Sequence, residues 1–318
     1  MSQTKEEFIL RKITKTRGVR GAASLCALAA ISYLMVKYLL TLLFSLGMGL
    51  LVPGASMAEP VGFSDTAVEC FSLLIGVGAI AAPVSWLLRT TRLEPLDLRL
   101  TIPSRWSPGF CLPVFLGVAN AANLLGGVLV RLLGSEGSSV ALPAGGPDLA
   151  VYFLSLCVVP AITEEVLFRG ALQGLMRPCG SAAAAFAPAL LFALLHMDLA
   201  QGITAFCCGI FLGWLAERTG SILPGMVLHF ANNAIAFLHI YLQLYAPANI
   251  ALGMQLFVLL FFPVAALWLV FQARRQGFHF SAGMRPGVDA LAVFTSPAYT
   301  VGVVFLALFS VYQTGLMR

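Results

Sequence analysis

Residues 162–170 read Ile162-Thr163-Glu164-Glu165-Val166-Leu167-Phe168-Arg169-Gly170. They place two adjacent carboxylates and a guanidinium inside a predominantly apolar run. An ionisable group at bilayer depth costs at least ~2.5–3.5 kcal/mol, so such groups usually face a polar cavity and serve a function. In a helix, Glu165 and Arg169 are i,i+4 neighbours that pair, whereas Glu164 points about 100° away and is left free. This arrangement predicts a structural pair at Glu165 and Arg169 and a buried catalytic base at Glu164.

The composition is that of an integral membrane protein. Of the 318 residues, 59% are hydrophobic and only 10% are charged, whereas a soluble domain carries about 25% charged residues. The net charge of +5 is better explained by membrane topology than by nucleic-acid binding, because the basic residues fall in short loops. Seven cysteines without CxxC spacing argue against a disulfide framework or a cysteine zinc site. We expect a multi-pass protein, in the plasma or inner membrane if the source is bacterial, with the bilayer as a partner and no nucleic acid.

Hydrophobic runs predict an all-α, polytopic transmembrane bundle of about eight or nine spans, since about 20 apolar residues cross a bilayer as a helix. The fifth and sixth runs are short and meet at Met197-Asp198, so eight spans with a re-entrant pair is the alternative. The last run is interrupted by Ser296-Pro297. The predicted spans are 22–52, 66–88, 109–133, 149–177, 182–197, 199–216, 222–245, 250–273 and 292–314.

The distribution of basic residues predicts an amino terminus on the inner side. The predicted outer loops, 53–65, 134–148 and 246–249, contain no Lys or Arg. Such asymmetry is typical of the positive-inside rule. The first apolar run is too long for the h-region of a signal peptide, so we expect an uncleaved first span. The predicted inner segments contain Lys5 to Arg20, Arg89, Arg92, Arg99, Arg105, Arg177, Arg218, Arg274, Arg275 and Arg285.

Further polar residues in the following spans complete a candidate cluster. His196 shares a helical face with Phe192, and His229 lies one turn before Asn233. Asn232 projects about 100° away from Asn233 and is the second choice for the same role. At ~1.5 Å rise per residue, the depths of these side chains overlap with that of the two carboxylates. We therefore expect one intramembrane site.

Such a cluster suits hydrolysis. A carboxylate and an imidazole deprotonate and position a water, and a second imidazole with an amide stabilises the oxyanion. The alternative is a divalent metal site, such as zinc, with Glu164, His196 and His229 as ligands. The missing HExxH motif and the wide ligand separation favour a mechanism that requires no cofactor. The absence of Gly-x-Ser-x-Gly, and of a Gly-Asp pair inside a span, argues against serine and aspartyl proteases.

Three motifs resemble those of a known family. Glu164-Glu165-x-x-x-Arg169, Phe192-x-x-x-His196 and His229-x-x-x-Asn233 are similar, in order and spacing, to the motifs of the CPBP family. That family comprises the CAAX prenyl proteases and their bacteriocin-processing relatives, and is also called the ABI family. The resemblance covers roughly residues 150–240.

The resemblance implies an all-helical intramembrane endopeptidase with a polar cavity between its spans. Glu164 would activate water with His196, while His229 and Asn233 would bind the oxyanion. Glu165 and Arg169 would form the structural pair. The family has been described both as metal-dependent and as a metal-independent glutamate protease, so the resemblance leaves the metal open.

We divide the chain into amino-terminal walls and anchors at 1–145, a catalytic core at 146–245 and carboxy-terminal helices at 246–318. The expected reaction is hydrolysis of a peptide bond in a membrane-associated protein or peptide, including lipid-modified substrates of the CAAX type. A non-proteolytic scaffold or a bacteriocin-immunity protein on the same fold is the main alternative. A small transporter is less favoured, because the chain shows no two related halves.

Overall fold

The structure is a computed structural model that describes residues 3–91, 93–103, 106–133, 141–281 and 284–313, with side chains from Gly18 onward. These residues form helices and connections, and contain no β-strand, which confirms the predicted all-α class. The main helices are α1 (Gln3–Leu51), α2 (Asp65–Thr90), α3 (Pro108–Leu132), α4 (Gly146–Cys179), α5 (Ser181–Leu194), α6 (Leu199–Thr219), α7 (Leu223–Tyr245), α8 (Ala248–Arg275) and α9 (Pro297–Gln313).

Seven helices in the described part of the chain are long and apolar enough to cross a membrane: α1 from Gly18, α2, α3, α4, α6, α7 and α8. Helices α5 and α9 are shorter apolar helices. This agrees roughly with the predicted span count, and the protein is an integral, multi-pass membrane protein. The direction of crossing stays a prediction. Arg92 and Arg105, which contributed to it, lie outside the described residues.

Two helix boundaries differ from those predicted. The helix that contains the first span begins at Gln3, so the basic leader is already helical. Helix α6 has 21 residues and is long enough to cross a bilayer alone. Of the two runs that meet at Met197-Asp198, α5, with 14 residues, is therefore the short one. The side chain of Asp198 caps α6 by accepting a hydrogen bond from the Gln201 amide at 2.8 Å, as its position before the helix predicts.

Helix α4 lies between two groups of helices. One core joins α1, α2, α4, α5 and α9, and a second joins α3, α6, α7 and α8. The middle of α4, Val159–Glu165, packs against α7 on one side and α2 on the other. Glu164 and Glu165 therefore lie in a segment that other helices contact on both sides.

Helix α4 is not a uniform α-helix. Its α-helical turn Val159–Glu165 is flanked by the π-helical segments Leu154–Val158 and Val166–Leu172. Wider π-type turns are rare and occur frequently at functional sites. They shift the side chains on either side of Glu164 and Glu165 relative to a regular helix.

Candidate active site

The carboxylate of Glu165 and the guanidinium of Arg169 form an ion pair deep in the protein. Their Oε1 and Nη1 atoms lie 2.8 Å apart, and the two side chains are 0% and 2% exposed. The i,i+4 spacing produces this contact even though the helix becomes π-type at Val166. Removing one partner of such a buried pair leaves an uncompensated charge, which costs about 3–5 kcal/mol.

His229 extends the ion pair into a chain of three groups. Its Nδ1–H donates to Glu165 Oε1 at 3.1 Å, a contact that the sequence did not predict. Because the carboxylate accepts from Nδ1–H, the neutral ring carries its lone pair on Nε2. That nitrogen faces Glu164, with its Oε2 at 3.8 Å. The Arg169–Glu165–His229 chain thereby fixes the orientation of one imidazole toward the second carboxylate.

Glu164 is held much more loosely than its neighbour. Among the described residues, none donates a hydrogen bond to its carboxylate, and 23% of its side chain is exposed. It lines a cavity of about 100 Å³ together with Tyr33, Ser72, Ser155 and Thr163. The carboxylate that helical geometry leaves free is thus placed at the edge of a polar cavity.

His196 and His229 lie against the same phenylalanine ring, that of Phe192. The His196 Nδ1–H donates to the Phe192 carbonyl at 2.8 Å. The Phe192 ring packs edge-to-face on both imidazoles, with centroids 4.7 Å from His196 and 6.1 Å from His229. Within the described residues His196 contacts no carboxylate at ion-pair distance. The imidazole beside Glu164 is therefore His229, whereas the resemblance pairs Glu164 with His196.

Asn233 joins α7 to α4. Its Nδ2 donates to the Leu156 carbonyl at 3.1 Å. In an α-helix that carbonyl would bond the amide four residues on, but that residue is Pro160, which has no N–H. Asn232 lies beside it and donates from Nδ2 to Asn233 Oδ1 at 3.4 Å. Asn233 keeps a second N–H for another acceptor.

The three residues that could ligate a metal do not form a ligand set. Within the described ranges, no group of three or more His, Cys, Asp or Glu side chains is placed to hold a metal ion. Glu164 and His229 approach each other, but His196 is turned toward the Phe192 carbonyl. The residues do not fit the metal alternative in this arrangement, and the mechanism below uses none.

Two glycines allow neighbouring helices to reach the ion pair. A Cβ at Gly225 of α7 would lie 2.9 Å from Glu165 Oε2. A Cβ at Gly209 of α6 would lie 2.9 Å from the Ala189 Cβ and 3.4 Å from Arg169 Nη2. No motif in the sequence indicated that either glycine contacts the site.

A second charged cluster holds the end of α4. Glu217 of α6, 3% exposed, accepts from Arg99 at 3.2 Å, Arg177 at 3.2 Å and Arg285 at 2.7 Å. Arg177 also donates from Nη2 to the Arg169 carbonyl at 3.1 Å. The cluster ties two connecting segments, through Arg99 and Arg285, and the end of α4, through Arg177, to Glu217 on α6. Sequence reasoning used these arginines only for topology and assigned no role to Glu217.

Fold and site together define a multi-pass membrane protein with a buried carboxylate–imidazole centre. Residues 146–235 match a protein-family profile described as Type II CAAX prenyl endopeptidase Rce1-like. This confirms the resemblance: the segment, which contains every candidate residue from Glu164 to Asn233, is similar to the CAAX protease (CPBP) family. That family consists of proteases, which supports an intramembrane protease. Searches of curated proteins and of solved structures found no match.

Proposed function

We propose that the protein hydrolyses a peptide bond of a membrane-associated substrate, with water activated between Glu164 and His229. The 3.8 Å between Glu164 Oε2 and His229 Nε2 carries this proposal. It is too long for a direct hydrogen bond, and a water that contacts both atoms fits such a separation. The carboxylate then takes a proton as the water oxygen attacks the scissile carbonyl.

Glu165 and Arg169 position His229 in this mechanism. The carboxylate accepts the Nδ1–H, so the Nε2 lone pair faces the water. Arg169 contacts the same carboxylate oxygen at 2.8 Å and so holds the Glu165 side chain in place. The arrangement follows the same logic as the carboxylate that orients the histidine in serine protease triads.

Asn233 and His196 are the proposed oxyanion donors. Asn233 has one N–H left after its bond to the Leu156 carbonyl, and His196 donates from Nε2 when its ring is protonated. Glu164 afterwards delivers its proton to the leaving amine. This assignment exchanges the two histidines relative to the roles that the resemblance implies.

The substrate class follows from the family. The profile describes a CAAX prenyl endopeptidase, which supports a lipid-modified peptide whose anchor lies in the bilayer. Large apolar side chains are exposed along α1, α3 and α8, for example Leu50, Leu132 and Leu267. These helices therefore face lipid, and an anchored substrate reaches the site from within the membrane.

The test is mass spectrometry of membrane peptides from cells that produce the wild-type protein or Glu164→Gln. The variant should accumulate uncleaved substrates, and cleavage of such a substrate by the purified variant should fall about 10²–10⁴-fold. Glu59→Gln, which changes an exposed loop carboxylate, is the matched control. Equal cleavage by Glu164→Gln and wild type would contradict the proposal.

The histidine assignment and the metal question need separate measurements. His229→Ala should lower cleavage more than His196→Ala, because only His229 contacts Glu164. Thorough chelation should leave cleavage unchanged, with metal analysis of the same sample near zero. A stoichiometric metal whose removal stops cleavage, and whose return restores it, would replace this mechanism with a metal-dependent one.

A further inference from the structure

Half of the residues that line the cavity beside Glu164 lie on helices outside the family match. Tyr33 comes from α1, Ser72 and Gly76 from α2, and Ser155 from α4. Its volume of about 100 Å³ corresponds to about three waters at ~30 Å³ each, or to one long side chain. The cavity therefore has room for one ligand group next to Glu164, the proposed base.

Three of the four hydroxyls that line this cavity, together with the Glu164 carboxylate, are placed to accept hydrogen bonds from a ligand. A hydroxyl has one proton to donate, and three of the lining hydroxyls have already used theirs. Ser72 donates to the Val68 carbonyl at 3.1 Å, Thr163 to the Val159 carbonyl at 2.9 Å, and Ser155 to Glu69 Oε1. Their lone pairs, with the Glu164 carboxylate, remain for a ligand. A group with several N–H donors fits such a wall.

Glu69 adds a second carboxylate without a cation. It is half-buried in the second turn of α2, one turn before Ser72, and is bonded to Ser155. Among the described residues, no Lys, Arg or His lies at ion-pair distance from it. A carboxylate inside a span usually pairs with a cation or marks a substrate path. The cavity region thus holds two carboxylates, and in the described part of the chain Glu69 has no basic partner.

We propose that this cavity binds a Lys or Arg side chain of the substrate, and that Glu69 determines this specificity. This inference rests on the proposed function, in which the bound peptide is a substrate. Ser155 and Glu164 are nine positions apart on α4, which is about 13 Å along the helix axis. An extended peptide covers that distance in about four residues at ~3.3 Å each. The basic residue lies within about four residues of the scissile bond.

The experiment measures binding and cleavage of defined peptides by the full-length protein in lipid nanodiscs. The probes are Leu/Ala-rich peptides of about 20 residues with one lysine, whose position is moved along the peptide. Each has a partner with norleucine in place of lysine. At one lysine position, wild type should bind the lysine peptide about tenfold more tightly than its norleucine partner. Hydrogen bonds to charged groups discriminate by at least that factor.

Two variants and two controls make the test specific. Glu69→Gln should bring the two affinities within about twofold of each other. Gly76→Leu should weaken binding of the lysine peptide by filling the cavity, because a Cβ at Gly76 meets no atom within 4 Å. Asp65→Asn removes an exposed charge one turn away on α2, and Gly253→Leu adds the same side chain on α8. Both controls should retain the tenfold preference.

The outcomes separate this inference from the proposed function. Equal affinity of wild type for lysine and norleucine peptides at every position overturns the inference, whatever the cleavage result. A preference that persists in Glu69→Gln overturns the role of Glu69. A preference lost in Glu69→Gln and Gly76→Leu supports the cavity as a basic side-chain site. If no peptide is cleaved in that case, the protease proposal fails while the binding site stands.

Discussion

The two sides of α4 hold adjacent carboxylates in opposite surroundings. The ion-pair side, formed by Glu165, Arg169 and His229, is almost wholly buried, and each group contacts the next at 2.8 or 3.1 Å. On the cavity side, Glu164 is partly exposed and within the described residues accepts no hydrogen bond, and Glu69 is bonded only to a serine. The fold pairs one carboxylate with an arginine inside the protein and leaves the other at the edge of a cavity.

In the proposed mechanism, this difference separates positioning from reaction within one helix. A buried pair stabilises the fold only while both partners are present, so the ion-pair side is fixed. On the cavity side, the Glu164 carboxylate borders open space and is accessible to a ligand. His229 contacts Glu165 through Nδ1 and faces Glu164 through Nε2. Because Glu165 fixes the orientation of this ring, it also fixes the nitrogen that Glu164 faces.

The largest effect is expected on stability of the ion-pair side. Glu165→Gln should destabilise the protein by about 3–5 kcal/mol, because Arg169 is left as a buried, uncompensated charge. Glu164→Gln should leave the thermal unfolding midpoint of the detergent-purified protein near that of wild type. The double variant Glu165→Gln/Arg169→Met should lose less than the sum of its single changes. Strict additivity of the two changes, or equal losses for the two glutamates, would contradict the comparison.

Asn233→Ala should affect catalysis more than folding. If Asn233 supplies an oxyanion donor, cleavage should fall about 10²–10³-fold. Loss of its bond to the Leu156 carbonyl should cost only about 1 kcal/mol of stability. Single-turnover cleavage and thermal unfolding of the same preparation measure both. Asn232→Ala is the control. A larger loss of cleavage in the control would move the donor role to Asn232.

Gly225→Ala tests how closely α7 must approach the ion-pair side. The added Cβ would lie 2.9 Å from Glu165 Oε2, and such overpacking typically costs about 1–3 kcal/mol. Gly253→Ala on α8 meets no atom within 4 Å and should be neutral or slightly stabilising, since Ala favours a helix over Gly. Thermal unfolding compares the two. A Gly225→Ala protein as stable as Gly253→Ala would show that the Glu165 carboxylate moves aside without lowering the free energy of unfolding.

The smallest effect is expected at the edge of the Glu217 cluster. The Arg285 side chain is half-exposed and the Arg177 side chain is 8% exposed, though both contact the same carboxylate. Arg285→Gln should cost no more than about 1 kcal/mol, as exposed ion pairs do. Arg177→Gln should cost more, because it also removes the bond to the Arg169 carbonyl. Equal unfolding midpoints for the two variants would argue against this link to the site.

Much of the fold was predictable because it depends on local composition. Runs of about 20 apolar residues specify spanning helices wherever they occur, and the i,i+4 spacing of Glu165 and Arg169 specifies their contact. The extent of α6 and the π-helical segments of α4 were not predictable. They depend on which carbonyl each backbone amide bonds. That pattern changes with packing and with a proline such as Pro160.

The contacts between helices were the part that sequence reasoning missed. Its motifs brought two histidines to the site, but they did not indicate that His229 bonds Glu165 or that the Phe192 ring separates His196 from His229. They also gave no role to Tyr33 and Ser72, which reach Glu164 from α1 and α2. Such contacts join residues far apart in the chain, and periodicity within one helix carries no information about them.

The sequence by itself determined the membrane class, the helical fold, the ion pair within α4 and the family motifs, because each is a property of one segment or of short-range spacing. Only the tertiary structure decided which imidazole faces Glu164, how the π-helical turns and Gly225 bring α7 against α4, and where the cavity lies. Those features arise from the packing of separate helices in three dimensions. In this protein that packing compensates Glu165 and leaves its neighbour Glu164 free.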